Sequence, residues 1–287
     1  MPLPALALVL VAAVLHVGWN ALAKRARHSL CFLWTAQALS ALLLLPFGLA
    51  RLGAEGLPAT AVPFVVATAV LHALYFYALG RSYAAGALSL VYPVARGLGV
   101  ALVPVLALLA LDERPSTLGA LGIGLVVTGI VALHAVAQGW ERLRAGLLAG
   151  GAGTGWAVAT GLTIAVYSLV DKAGVGHLHP LSYVTLLGLG VTALLWPTVR
   201  ASGALAAEWA ANRRPILLAA TMTLTAYLLV LFAFRLSKAS YVVAAREVSI
   251  VLSAVVGSVW LKEGALAPRL LAAAVVLAGV ACVALAR

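Results

Sequence analysis

Apolar runs separated by short charged or Gly/Pro-bearing breaks follow one another along the chain, at about 3–23, 29–50, 60–80, 84–110, 116–137, 146–170, 178–199, 214–235, 239–261 and 266–286. A helix needs ~20 mainly apolar residues to cross a bilayer, so the pattern predicts ten transmembrane helices. Runs such as "LPALALVLVAAVL" do not alternate in polarity, as the strands of a transmembrane barrel would. The breaks are short. The longest, "RASGALAAEWAANRRP", carries Trp209 and Arg213 and predicts an interfacial helix rather than a domain. The opening "MPLPALALVL" has neither a basic leader nor a small-residue cleavage site, so the first run is expected to be kept as a span.

Composition sharpens this picture. With 287 residues, 64% hydrophobic and 9% charged, and a mean hydropathy of +1.10, the chain is too apolar for a water-soluble globule and has no room for a soluble catalytic domain. Nineteen Lys and Arg against eight Asp and Glu give a net charge of +11. The basic residues sit mostly in short loops, where they set orientation and meet anionic lipid heads. No basic run with interleaved aromatics forms a nucleic-acid footprint, so no nucleic-acid partner is expected. Cys31 and Cys282 lie in apolar segments without metal-ligand spacing.

The text also repeats. Arg96 is followed by Leu111 and Glu113, and Arg246 by Leu261 and Glu263, with the same 17-residue Arg-to-Glu spacing and an offset of 150 between the copies. Tyr77 with Tyr227 and Gly129 with Gly279 keep that offset. Lys24 at the end of "WNALAK" faces Lys172 at the end of "YSLVDK". Two five-helix repeats are expected, at 1–139 and 140–287. An odd number of crossings per repeat makes the second enter from the opposite face, the inverted arrangement recurrent among secondary transporters.

Polar residues inside apolar spans are costly and mark candidate sites. In the first span His16, Asn20 and Lys24 share one face. They form either a cavity wall or a hydrogen-bonded stripe between helices, with Lys24 snorkelling to the interface. Thr68, His72 and Tyr75 share a face of the third span, where a neutral imidazole and a phenol suit the polar head of a zwitterion. The fourth span carries Ser89, Tyr92, Pro93 and Arg96; proline frees the carbonyl of residue 89 one turn from an aromatic and a cation. Arg96 either attracts a substrate carboxylate or pairs with Glu247, the second being at least as favourable because an unpaired guanidinium there is expensive.

In the sixth span Trp156, Thr160, Thr163 and Tyr167 form a stripe, with Trp156 the best single choice for a cavity wall, or else an interfacial belt residue. Arg246, Ser249 and Ser253 share a face of the ninth span beside Glu247, which is read as the one acidic residue at depth. Proton coupling would then fall to Glu247, His16 or His72. No ligand set at metal spacing accompanies these residues, so neither a metal nor a cofactor is expected.

The stretches "HVGWNALAK", "SLVYPVARGLG" with the following "LDER", and "SYVVAAREVS" with the matching "LKE" resemble the drug/metabolite transporter superfamily, in particular its ten-helix EamA-type exporters and, nearest, the YddG-type amino-acid exporters. The resemblance covers nearly the whole chain. It implies an all-α basket of ten transmembrane helices around a central cavity lined by the first, third, fourth, sixth, eighth and ninth, with cytoplasmic termini in a bacterial inner membrane. The family moves amino acids, nucleosides and other metabolites. Small multidrug exporters of the superfamily carry a membrane-embedded Glu in the first helix. Neither the first nor the sixth span shows a carboxylate in its middle, which disfavours a cationic-drug antiporter. Counting loop Lys and Arg gives the opposite orientation, with both termini outside.

The expected function is export of amino acids, aromatic ones included, or related metabolites by alternating access. Import or exchange of organic anions such as phosphorylated or phosphonate compounds, held by Arg96 and Arg246, is the second reading, and a non-transporting membrane scaffold the third. An integral-membrane enzyme would need a catalytic pair or cluster at depth, and no such spacing is found. The partners called for are a small-molecule substrate and the lipid bilayer. Oligomeric state stays open.

Overall fold

The computed structural model describes residues 1–85, 88–139, 141, 152–252 and 266–286. Among these residues the chain is all-helical, with ten helices of eight residues or more: α1 Leu3–Lys24, α2 Ser29–Glu55, α3 Val62–Ala85, α4 Leu88–Leu111, α5 Thr117–Gln138, α6 Ala152–His177, α7 Pro180–Ala201, α8 Leu205–Leu236, α9 Ala239–Arg246 and α10 Leu266–Leu285. Seven, α1 to α4 and α6 to α8, are long and apolar enough to cross a membrane. Shorter apolar stretches lie in α5 (Thr117–Leu133) and α10 (Leu270–Leu285). Large apolar side chains such as Phe47, Leu109 and Leu271 point outward, as lipid-facing positions of a multi-pass membrane protein do.

Local chemistry sets the helix ends. The Ser116 hydroxyl caps α5 by accepting from Gly119 N (3.4 Å), and His179 caps α7 by accepting from Leu181 N (3.2 Å). Gly56 (φ 75°) and Gly139 (φ 85°) follow α2 and α5 in a backbone region that other residues rarely adopt. The break carrying Trp209 is itself helical and merges into α8 across a kink at Asn212 (φ −129°), just before Pro215. α9 is interrupted too. Glu247 N bonds back to Ala244 O (3.1 Å) and Ile250 N to Glu247 O (2.9 Å), so the ladder tightens to i→i+3 steps before helix resumes at 248–252.

The helices pair in a pattern that survives exchange of the two halves of the chain. α1 packs along α8 as α6 does along α3, and α2 meets α8 as α7 meets α3, while α2–α7 and α5–α10 pair directly. α5 and α10 touch through small residues: a Cβ on Gly122 would lie 2.6 Å from the Gly279 carbonyl oxygen, and one on Gly279 as close to that of Gly122. Gly279→Leu is expected to force these helices apart and lower the thermal midpoint by several degrees, while Gly124→Leu, where a Cβ meets open space, leaves it within a degree or two. Scanning fluorimetry in detergent measures both.

Candidate functional site

Between the two halves lies a cavity with about 50 Å³ open to the centres of water molecules, room for a few waters at roughly 10–15 Å³ each. α1 contributes His16 and Trp19, α2 Gln37 and Ser40, α3 His72 and Tyr75, α6 Tyr167, α7 Leu187, α8 Tyr227, and α9 Arg246. Beside it a space of about 10 Å³, enough for one water, is bounded by His16, Asn20, Tyr75, Arg96 and Thr160. α2 and α7 thus join the walls that the family resemblance implied, while α4 reaches only the smaller space.

Four rings form the aromatic wall of the main cavity. His72 lies tilted against Tyr167 (4.1 Å between centroids, 33° between planes), and Tyr227 and Tyr75 meet His72 edge-on at 5.1 and 6.3 Å. Behind this wall lies Asp171, completely buried in α6. Its Oδ1 accepts from the Thr68 hydroxyl (2.5 Å) and the Tyr183 hydroxyl (2.9 Å), and its Oδ2 accepts from the Tyr227 hydroxyl. Three hydroxyl donors from α3, α7 and α8 therefore converge on one carboxylate, which satisfies a charge that membrane burial would otherwise make very costly.

The sequence reading ended the sixth span at residue 170 and took Asp171 and Lys172 as a connector; the helix continues to His177. Two things permit it. The hydroxyls meet the aspartate, and Lys172 reaches the rim, donating from Nζ to the carbonyls of Phe234 (2.5 Å) and Ser237 (2.9 Å) at the end of α8. Glu247 is consequently not the one acidic side chain at depth. The missed signal was Tyr167, Asp171 and Gly174, which share a face of α6.

Arg96 and Glu247 meet across the halves. Arg96 Nη2 donates to Glu247 Oε1 (2.6 Å) and Nε to Oε2 (3.2 Å), both side chains being buried. The guanidinium of α4 is therefore engaged by the carboxylate at the break in α9, in the two-pronged geometry that gives Arg–carboxylate pairs their strength. Arg246 points into the main cavity beside the Tyr167 hydroxyl. Among the described residues it has no carboxylate within ion-pair distance.

Other predicted residues are placed differently. Asn20 spends its amide on the carbonyl of His16 in its own helix (2.8 Å), and Thr160 its hydroxyl on that of Trp156 (2.7 Å). Trp156 lines neither space: its ring packs edge-on against Tyr77 (5.6 Å), and the Arg81 guanidinium lies 5.6 Å over its face. That environment matches the interfacial alternative. The side chains of Ser89, Tyr92, Pro93 and Lys24, and all of Ser253 and Glu263, lie outside the described residues. Among those described, no three His, Cys, Asp or Glu side chains converge as metal ligands would.

One rim of the structure is tied across the halves. Glu113, in the turn after α4, accepts from Ala239 N at the start of α9 (2.7 Å) and stands 3.8 Å from Lys172 Nζ, while Lys238 Nζ donates to the Arg114 carbonyl (2.5 Å). Burial pushes the Glu113 carboxyl above its ordinary range, opposed by the Ala239 N–H and the Lys172 charge.

A solved protein crystal structure is similar over 99% of this chain and 96% of its own, with a TM-score of 0.66 and 16% sequence identity. At that identity the likeness concerns the fold alone. No family model matches the chain, and no curated protein matches it.

Proposed function

We propose that this chain is a secondary transporter of the drug/metabolite type that exports amino acids, aromatic ones included, or related small metabolites across the bacterial inner membrane. In this reading ten crossings form two inverted five-helix repeats, 1–139 and 140–287, that rock about the central cavity. The carrying observation is the charge layout of that cavity: Arg246 faces it from α9, while His72 and Tyr227 bring the Asp171 charge to the aromatic wall opposite. A carboxylate pairs with the guanidinium, and an ammonium sits over electron-rich rings backed by a carboxylate. Support also comes from the break in α9 beside Arg246, because interrupted helices at membrane depth are tolerated where they line a site, and from the helix pairing that survives exchange of halves. The cavity as it stands seats only a few waters, so the substrate-loaded state is wider.

Purified protein in proteoliposomes is expected to take up labelled amino acids, and failure across a broad amino-acid panel with folded protein rejects the reading. Arg246→Gln is expected to lower uptake of a carboxylate-bearing substrate by about tenfold or more, since a hydrogen bond to a charged group contributes ~1.5–3 kcal/mol and 1.4 kcal/mol is about tenfold. The cation in the cavity also favours a second reading, transport of organic anions such as phosphorylated or phosphonate compounds. Counterflow competition between amino acids and organic phosphates separates the two. A scaffold would show no thermal stabilisation by any small molecule.

A further inference from the structure

We infer that Gln37, with Thr223 on the neighbouring helix, forms a side-chain subsite of the central cavity that selects substrates whose side chain is uncharged but ends in a hydrogen-bonding group, a carboxamide or a hydroxyl; the inference rests on the transport reading above. Gln37 is 7% exposed and lines the cavity from α2. Its amide has no hydrogen-bond partner among the described residues. Thr223 lines the same cavity from α8, and its hydroxyl is likewise without a partner among those residues. By contrast Ser40, Thr160, Thr185 and Thr192 all donate to carbonyls one turn back in their own helices.

A helical hydroxyl ordinarily returns to its own backbone in this way, and a buried amide ordinarily finds a donor and an acceptor. Gln37 and Thr223 instead open onto the cavity. The packing around them keeps the space for it. Gly188 of α7 leaves room for the amide, since a Cβ there would stand 3.1 Å from Gln37 Nε2 and 3.0 Å from the Ala41 Cβ. Ser40, one turn beyond Gln37 on the same face of α2, also donates to the Ala220 carbonyl of α8 (2.7 Å), one turn before Thr223, and so holds the two helices together beside both groups.

The head and the side chain of a substrate meet different walls. α9, which carries Arg246, packs chiefly against α1 and α4, while α2 packs against α7 and α8. The charged groups of the cavity take the carboxylate and the ammonium, and the side chain is left with α2, α7 and α8. Ala41, Leu44, Val184 and Leu187 make that wall apolar, and among the described residues none of these three helices puts a charged side chain on the cavity. A charged substrate side chain would be desolvated there without a counter-charge. An apolar one would displace water from the amide and the hydroxyl and put nothing in its place. A carboxamide or a hydroxyl both donates and accepts, and so answers either group.

Proteoliposome uptake of near-isosteric pairs tests the subsite: glutamine against methionine, and tyrosine against phenylalanine. The wild-type chain is expected to favour the polar member by roughly tenfold in kcat/KM, the worth of one good hydrogen bond. Gln37→Met keeps the length of the side chain without its hydrogen bonding and is expected to bring the ratio close to one; Thr223→Val is expected to lower it about threefold. A wild-type ratio near one, or a ratio unmoved in either variant, overturns the subsite while leaving the transport reading in place, whereas uptake of no amino acid at all rejects that reading. Binding is measured separately, by thermal stabilisation in detergent. Glutamine or tyrosine is expected to stabilise the wild type at about tenfold lower concentration than its apolar counterpart; equal stabilisation within each pair, or none by any of the four, overturns the subsite even in a preparation that transports nothing. Gln37→Met removes an unpartnered buried amide, so its own thermal midpoint is expected to match or exceed that of the wild type, which separates a lost preference from a lost fold.

Discussion

Asp171→Ala is expected to be among the most damaging single substitutions in this protein. It leaves the hydroxyls of Thr68, Tyr183 and Tyr227 without their common acceptor, beside a cavity with room for no more than a few waters. Stranded donors cost about 1–3 kcal/mol each in soluble proteins, but side-chain hydrogen bonds between membrane helices average only ~0.6 kcal/mol because freed groups find other partners. Tyr183 has such a partner at hand, the Phe64 carbonyl 3.3 Å away. Weighing the two, a loss of about 2–4 kcal/mol is expected for alanine and about half that for Asp171→Asn, which keeps one acceptor oxygen. Reversible unfolding in mixed micelles measures both. Equal stability of the two variants would show that the hydroxyls, rather than the carboxylate, organise this cluster.

The pair of Arg96 and Glu247 is expected to behave in the opposite way when both members are changed. Glu247→Gln leaves a guanidinium buried beside a neutral amide, and removing one partner of a buried ion pair costs about 3–5 kcal/mol. Replacing both, as in Arg96→Met with Glu247→Leu, removes the charges together and is expected to recover most of that loss, because desolvation of an ion pair offsets much of its attraction. A double-mutant cycle on the same unfolding assay gives the coupling. A coupling near zero would mean that the 2.6 Å contact contributes nothing beyond packing. The break in α9 sharpens the expectation: Glu247 sits where the helical ladder is interrupted, so the double variant is also expected to lose transport even where it regains stability.

How much of this could be read from the sequence differs from residue to residue. The repeat offset led to Arg96 and Arg246, and the cost of an unpaired guanidinium led to Glu247 as partner of the first, because charge balance in an apolar medium is a strong constraint. His16, His72 and Tyr75 fell on helix faces that do line the cavity, since spacing fixes the face. Trp156 does not line it: its spacing suits an inward face, but a tryptophan suits an interface as well, and its ring packs against Tyr77 with the Arg81 guanidinium over its face. Asp171 was lost because an Asp–Lys step looks like a loop to any measure of local hydropathy. Only the partners on α3, α7 and α8 make it a membrane residue, and those lie 103, 12 and 56 positions away.

That separation bears on how the protein is made. α6 has a mean hydropathy of 1.3 over its best stretch, against 2.0 for α1 and 2.2 for α8, and it carries a carboxylate that disfavours insertion by up to ~2.5–3.5 kcal/mol at a helix centre. When α6 leaves the ribosome, Thr68 of α3 has gone before it, but Tyr183 and Tyr227 have yet to emerge. The aspartate therefore gains its donors in two stages, one from helices already inserted and two from helices still to come. A nascent chain stopped after α6 is expected to hold that helix weakly in lipid, and one extended through α8 firmly. The sixth helix becomes a secure membrane segment only once its neighbours on both sides in the sequence have been delivered.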